Sequence, residues 1–128
     1  LSFIVKDGEA EKRGTNYNYS VMHNAKKFIE KHFEQHLSTA DIAESVNLSE
    51  SRLRCLFRVA YGISPHAYLI ETRIAAAKEM LWNTDIPLTE VAEKCGFGCQ
   101  QYLNDTFKRS TGLSPGKYRE QFAKKYTE

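Results

Sequence analysis

The feature that most constrains this chain is an internal repeat. From Ile42 the sequence reads IAESVNLSESRLRCLFRVAYGISPHAYL, and from Val91 it reads VAEKCGFGCQQYLNDTFKRSTGLSPGKYR. Ala43 and Glu44 match Ala92 and Glu93 at an offset of 49. Leu53, Phe57, Gly62, Ser64, Pro65 and Tyr68 match Leu103, Phe107, Gly112, Ser114, Pro115 and Tyr118 at an offset of 50. The one extra residue falls between Phe97 and Cys99, in a turn, where an insertion is tolerated as it is not inside a helix. Two copies of one supersecondary unit follow, each burying the same apolar positions.

Each copy reads as helix, tight turn, helix. In the first, Ser38 and Asp41 have capping-box spacing, and Ile42, Ala43 and Val46 form a short apolar stripe. Asn47 and Leu48 make the turn, Asn tolerating a left-handed backbone. Ser49 caps a second helix whose Leu53, Leu56, Phe57 and Ala60 recur at i, i+3, i+4 and i+7, and Gly62 ends it. In the second copy Gly96 takes the turn, and Leu103, Thr106 and Phe107 face inward. Cys99 stands where a Ser or Asp cap is expected, so that helix starts weakly. The small Ala43 and Ala92 let two helices joined by a short turn cross closely, the pattern of a helix-turn-helix.

Between the copies Ser64 and Pro65 open a longer helix that stops at Asn83, Thr84 and Asp85, ahead of Pro87. At about 18 residues it spans roughly 27 Å. That length suits two recognition helices held about one DNA turn, roughly 34 Å, apart. A first helix over about 21–36 carries a stripe of Val21, Ala25, Phe28, Ile29 and Phe33, and a last helix over 115–125 carries Tyr118, Phe122 and Tyr126. The expected fold is therefore all-α: a seven-helix domain of two helix-turn-helix units joined by a long linker helix. Residues 21–63 hold helix one and the first unit, 64–84 the linker helix, and 86–126 the second unit with the last helix. Residues 1–20 show no period and read as a linker or the end of an upstream domain; a first residue that is Leu rather than Met fits an excised fragment.

Composition narrows the functional classes. At 41% apolar residues the chain supports a core, and its net charge of +2 matters less than where the charge lies. No apolar run approaches the roughly 18 residues of a membrane span, and no signal-peptide pattern opens the sequence. Three cysteines, Cys55, Cys95 and Cys99, fit a reducing cytoplasm better than a disulfide scaffold. Cys95 and Cys99 lack a second zinc-spaced pair, and His32 and His36 lack the adjacent Glu of a metalloprotease motif. These histidines read as solvated side chains one helical turn apart. No metal and no cofactor is expected. No nucleophile–base pair or phosphate loop is present either, so an enzyme is not expected.

The second helix of each unit carries the functional signal. With Leu53 facing the core, Ser51, Arg54, Cys55 and Arg58 fall on the opposite face. The same construction on Leu103 exposes Gln101, Asn104, Asp105 and Lys108, with Gln100 in the first turn. Arg pairs bidentately with guanine, and Gln or Asn with adenine, so Arg54, Gln100, Gln101 and Asn104 are candidate base readers. Ser51 and Cys55 are short enough to meet a thymine methyl or nothing. Arg52, with Tyr102 at the other flank, together with Arg58, Lys108, Lys117 and Arg119 are candidate backbone contacts. So are the helix amides near Thr39 and Thr89. Asp105 repels phosphate; it either accepts from cytosine or, the preferred reading, pairs with Lys108 or Arg109. Arg73 reads as a structural partner of an acid such as Glu71 or Glu44. The competing reading is a helical protein-interaction module whose polar faces only solvate it.

The run from Gly96 to Arg119, GF-x-x-x-x-Y-L-x-x-x-FK-x-x-x-G-x-SP-x-x-YR, resembles the C-terminal signature of the AraC/XylS family of bacterial transcription regulators. The IAESVNLS run and RIAAAKEML are similar to that family's first half, and the resemblance spans about residues 20–126. It implies a sequence-specific binder of double-stranded DNA whose two recognition helices enter successive major-groove segments. Ser51, Arg54 and Cys55 would read bases in one unit, and Gln100, Gln101, Asn104 and Asp105 in the other. It also implies an upstream sensor or receiver domain; RNA polymerase is the further partner expected of such a regulator. Leu103 stands where Phe is frequent and Asn47 where Gly is frequent. Cys55 and Asp105 replace longer polar or basic residues, leaving one reading position per unit open.

Overall fold

The computed structural model of the chain describes residues 18–122. Among them are seven helices and no strand: α1 (18–32), α2 (Thr39–Ser45), α3 (Glu50–Tyr61), α4 (Pro65–Asn83), α5 (Leu88–Lys94), α6 (Gln100–Thr111) and α7 (Pro115–Phe122). The chain divides into two compact units, residues 18–31 with 37–68 and residues 32–36 with 69–122. The division falls inside α4, so the linker helix is not a separate piece: all but its first turn belongs to the second unit.

In the first unit the capping box forms as its spacing requires. The Asp41 amide donates to Ser38 Oγ at 3.1 Å, and the Ser38 amide donates to Asp41 Oδ2 at 3.0 Å. α2 buries Ile42 and Ala43, and α3 buries Leu53 and Phe57. Burial of one such large apolar side chain contributes about 1.5–3 kcal/mol. Asn47 holds the turn in the left-handed region at φ 57°, and the Leu48 amide donates to the Ala43 carbonyl at 2.9 Å. Tyr61 and Tyr68 flank Phe57, with ring centroids 4.8 and 5.9 Å away, and the Tyr68 hydroxyl donates to the Glu30 carboxylate. Helix one buries Ala25 and Ile29 of the expected stripe and leaves Val21, Phe28 and, just past its end, Phe33 half-buried. It also buries Met22, which the expected stripe did not include. It includes residues 18–20 and ends at 32, so His36 is not on it.

The second unit repeats the scheme. Its core gathers Ile74, Ala77 and Leu81 of α4, Val91 and Ala92 of α5, Cys95 and Phe97 of the turn, Leu103 and Phe107 of α6, and Tyr118 of α7. The Phe97 amide donates to the Ala92 carbonyl at 2.8 Å, the counterpart of the Leu48 bond. Gly98 is the inserted residue, and Gly62 and Gly112 close α3 and α6 with left-handed caps at φ 79° and 85°. Cys99 makes no side-chain cap bond to α6.

Gly96 has a requirement beyond its φ of 88°. A Cβ at this position would stand 2.2 Å from the Phe33 carbonyl oxygen. The same oxygen accepts from Arg73 Nε at 2.8 Å, and the Gln35 oxygen accepts from Arg73 Nη2 at 2.9 Å. Arg73 is thus a structural residue, but its partners are backbone carbonyls rather than the acid expected from the sequence. A guanidinium suits this task because its donors form a rigid fork. The expected Tyr126 contact lies outside the described residues, as do residues 1–17 of the expected linker.

Candidate nucleic-acid interface

Burial of Leu53 and Phe57 sets the rotation of α3, and Ser51, Arg52, Arg54, Cys55 and Arg58 consequently lie exposed. Ser49 Oγ accepts from the Arg52 amide at 3.2 Å, which anchors the helix start. Arg54 Nη1 lies 3.6 Å from Glu50 Oε1, both side chains about half exposed. An exposed pair of this kind contributes only about 0–1 kcal/mol, so Arg54 can leave Glu50 for a stronger acceptor at little cost. Glu50 was not among the residues expected at the site; its i, i+4 spacing to Arg54 was the available signal.

In α6 the burial of Leu103, Thr106 and Phe107 turns Gln101, Asp105 and Lys108 outward. Gln100 and Asn104 sit half-buried at the edge of this face. Gln101 Nε2 donates to both carboxylate oxygens of Asp105, at 3.1 and 3.2 Å. Asp105 is therefore paired within the helix as expected, but with Gln101 and not with Lys108 or Arg109. Asn104 Oδ1 is buried with no hydrogen-bond partner, so its amide has to rotate before that oxygen can meet a ligand. Tyr102 is 39% exposed at the flank and packs edge-on against Phe97, ring centroids 5.5 Å apart.

The backbone-contact candidates divide. Arg58, Lys108 and Lys117 are exposed, and Thr39 and Thr89 lie in the first turns of α2 and α5. Arg119 does not join them. Its Nη1 donates to the Ile86 carbonyl at 2.7 Å and its Nε to the Leu81 carbonyl at 3.4 Å. Nη2 is buried without a partner. The guanidinium is hydrogen-bonded to carbonyls in the last turn of α4 and just after it, much as Arg73 is to residues 33 and 35. Only long-range packing reveals this, since a basic residue in the last helix looks like any other cation.

The cysteines differ in the same way. Cys55 and Cys99 are exposed, whereas Cys95 is buried and its Sγ contacts Met80 Sδ at 3.7 Å. Burial, with the Glu34 charge adding to it, pushes the Cys95 thiol up to about 11. Burial also lowers the Arg73 pKa, against which Tyr102 acts. Among the described residues no group of three metal-ligating side chains converges, and no helix is long and apolar enough to cross a membrane.

Two units that each place a capped or end-turned polar helix over a buried apolar stripe define an all-helical double helix-turn-helix protein. A helix-turn-helix domain family matches residues 42–121. The chain is 38% identical over 101 residues to the arabinose operon regulatory protein of Salmonella typhimurium, a match covering 78% of this chain and 36% of that protein. It is 32% identical over 109 residues to the probable transcriptional regulator LumQ of Photobacterium leiognathi, covering 85% and 43%. Among solved structures, the C-terminal domain of AraT, a response regulator from Geobacillus stearothermophilus, superposes with a TM-score of 0.79 at 34% identity, covering 84% of this chain and 91% of that one. The DNA-binding domain of AdpA in complex with a target DNA superposes with a TM-score of 0.79 at 25% identity, covering 84% and 96%. The chain belongs to the AraC-type helix-turn-helix family. It spans less than half the length of these two curated relatives.

Proposed function

We propose that the chain is the sequence-specific DNA-binding part of a bacterial transcription regulator, with α3 and α6 entering adjacent major-groove segments of double-stranded DNA. The observation that carries this is the paired polar face. Ser51, Arg54, Cys55 and Arg58 on α3 occupy the positions that Gln101, Asn104, Asp105 and Lys108 occupy on α6, each set behind the same buried Leu and Phe. Two side-chain sets rich in major-groove donors and acceptors, repeated at an offset of 50, suit base reading. The likeness to a domain solved with its target DNA supports the same reading.

In this function Arg54, Gln100, Gln101 and Asn104 read bases, with Ser51 and Cys55 close enough for methyl contact. Arg52, Arg58, Lys108 and Lys117 approach phosphates, as do the first-turn amides near Thr39 and Thr89. A cytoplasmic setting, an upstream sensor or receiver domain and RNA polymerase as an assembly partner complete the proposal. The test is a salt titration of binding to duplex DNA. Log affinity should fall linearly with log salt, at a slope set by the phosphates engaged. Absence of duplex binding at low salt sinks the proposal.

One observation favours a protein contact beside this role. In the first unit Val59 is 81% and Tyr19 55% exposed, and they border an apolar groove with Met22, Leu56 and Ala60. A purely protein-binding module would use this groove and show no salt-dependent duplex affinity.

A further inference from the structure

The Gln101–Asp105 pair gives the second recognition helix a property that neither residue has alone. A carboxamide presents a carbonyl oxygen at one end and two N–H donors at the other, and it can exchange the ends by turning about its last torsion. An unrestrained Gln on a recognition helix can therefore offer either end to a base. Here Nε2 is held by both Asp105 oxygens, at 3.1 and 3.2 Å. Turning the amide over would lose a charge-assisted hydrogen bond and set Oε1 against a carboxylate. Both side chains are exposed on the face opposite Leu103 and Phe107, where a base edge would meet them.

We propose that Asp105 is a positioning residue that fixes the polarity of the Gln101 amide and so restricts it to adenine. The inference rests on the DNA-binding reading above. One Gln101 N–H goes to Asp105, leaving one N–H and the Oε1 acceptor. That remaining pair is the complement of the adenine major-groove edge, where N7 accepts and the N6 amino group donates. Guanine offers N7 and O6, both acceptors, so Oε1 would face an oxygen and the neighbouring carboxylate would add to the repulsion. Thymine offers only the O4 acceptor and a methyl group. The short Asp at 105 thus supplies selectivity in place of a direct contact, and it does so by excluding guanine. Its role differs from that of Cys55, the matching residue of the first unit, where the residue four positions back is Ser51 and carries no amide.

The test is selection of bound sequences from a random duplex pool by the wild-type chain, Gln101→Ala, Asp105→Ala, Asp105→Asn and the Gln101→Ala/Asp105→Ala double variant. All five should melt within a degree or two of one another, because both side chains are exposed. For the wild type, one base pair should favour adenine over guanine by roughly tenfold or more, the discrimination of one good bidentate contact. Asp105→Ala should cut that preference to about threefold or less at the same base pair and leave other positions unchanged. Gln101→Ala should act on the same pair, with no further loss in the double variant. Asp105→Asn, which keeps an acceptor oxygen, should restore part of the preference. The proposal is overturned if Asp105→Ala strengthens binding to every sequence alike with the adenine preference intact, the behaviour of a carboxylate that only repels phosphate. Effects of the two single changes at different base pairs overturn it too. Failure of the wild type to bind any duplex would instead remove the DNA-binding reading itself, and this inference with it.

Discussion

Arg73 Nε donates to the carbonyl oxygen of Phe33 at 2.8 Å, across 40 residues of sequence. The same oxygen is the atom that a side chain at position 96 would strike. One carbonyl therefore ties α4 to the 32–36 segment and explains why the second helix-turn-helix has Gly where the first has Asn.

Replacing Gly96 should expose that dependence. Gly96→Ala puts a Cβ 2.2 Å from a backbone oxygen that Arg73 also holds, on top of a left-handed backbone at φ 88°. The expected loss is at least about 2 kcal/mol in a urea unfolding curve. Gly98→Ala also has a positive φ, but open space around it, and should lose only about 1 kcal/mol. Equal losses at the two glycines would show that the close approach is not what Gly96 is for.

Arg119 and Lys108 should separate stability from DNA affinity. Arg119→Met removes the bonds to the Leu81 and Ile86 carbonyls and should lower stability by about 2 kcal/mol, leaving the salt slope of duplex binding unchanged. Lys108→Ala should leave the melting temperature in place, weaken all sequences alike and reduce the salt slope by about one. A flattened slope in folded Arg119→Met would return that residue to the phosphate contacts.

Arg54→Ala should reduce discrimination at one base pair of the selected site by roughly five- to a hundredfold, the range of a lost bidentate guanine contact. Glu50→Gln, which removes only the exposed ion-pair partner, should change stability by less than about 1 kcal/mol. Competition binding with single-base variants of the selected site measures both effects, and equal weakening on all of them would make Arg54 a phosphate contact.

The three thiols should react at different rates. A maleimide should modify exposed Cys55 and Cys99 in the native chain and spare buried Cys95 until unfolding. The folded Cys95 holds its proton up to about 11, against an ordinary value of 9.0. A group whose folded pKa is raised contributes stability below its unfolded pKa and loses it as pH climbs to the folded one. Stability should therefore fall between about pH 9 and 11, and a Cys95→Ala variant should lack this component of the decline. Native labelling of Cys95 at neutral pH as fast as of Cys55 would contradict its burial.

Sequence alone determined the features that depend on neighbours within one or two helical turns. The capping box of Ser38 and Asp41, the left-handed Asn47, the Gly62 and Gly112 caps, the buried Leu53 and Phe57 of α3 and the buried stripe of α6 formed where residue spacing put them, while Leu56 and Ala60 of the α3 stripe are only half-buried. Such features need only local backbone geometry and the 3.6-residue period. Helix one was legible with Ala25 and Ile29 on its buried face, but only packing selects Met22 over Val21 at its start. Tertiary structure decided the fates of the arginines. The sequence marked Arg73 as structural but pointed to an acid as its partner, and it made Arg119 a backbone-contact candidate; chain segments 33–40 residues away bring part-buried carbonyls to both. It decided Gly96 likewise, through an oxygen 63 residues earlier in the chain. Asp105 lies between the two cases. The sequence reading paired it within the helix with Lys108 or Arg109, whereas the structure pairs it with Gln101, four residues back, a spacing that was present in the sequence but not used.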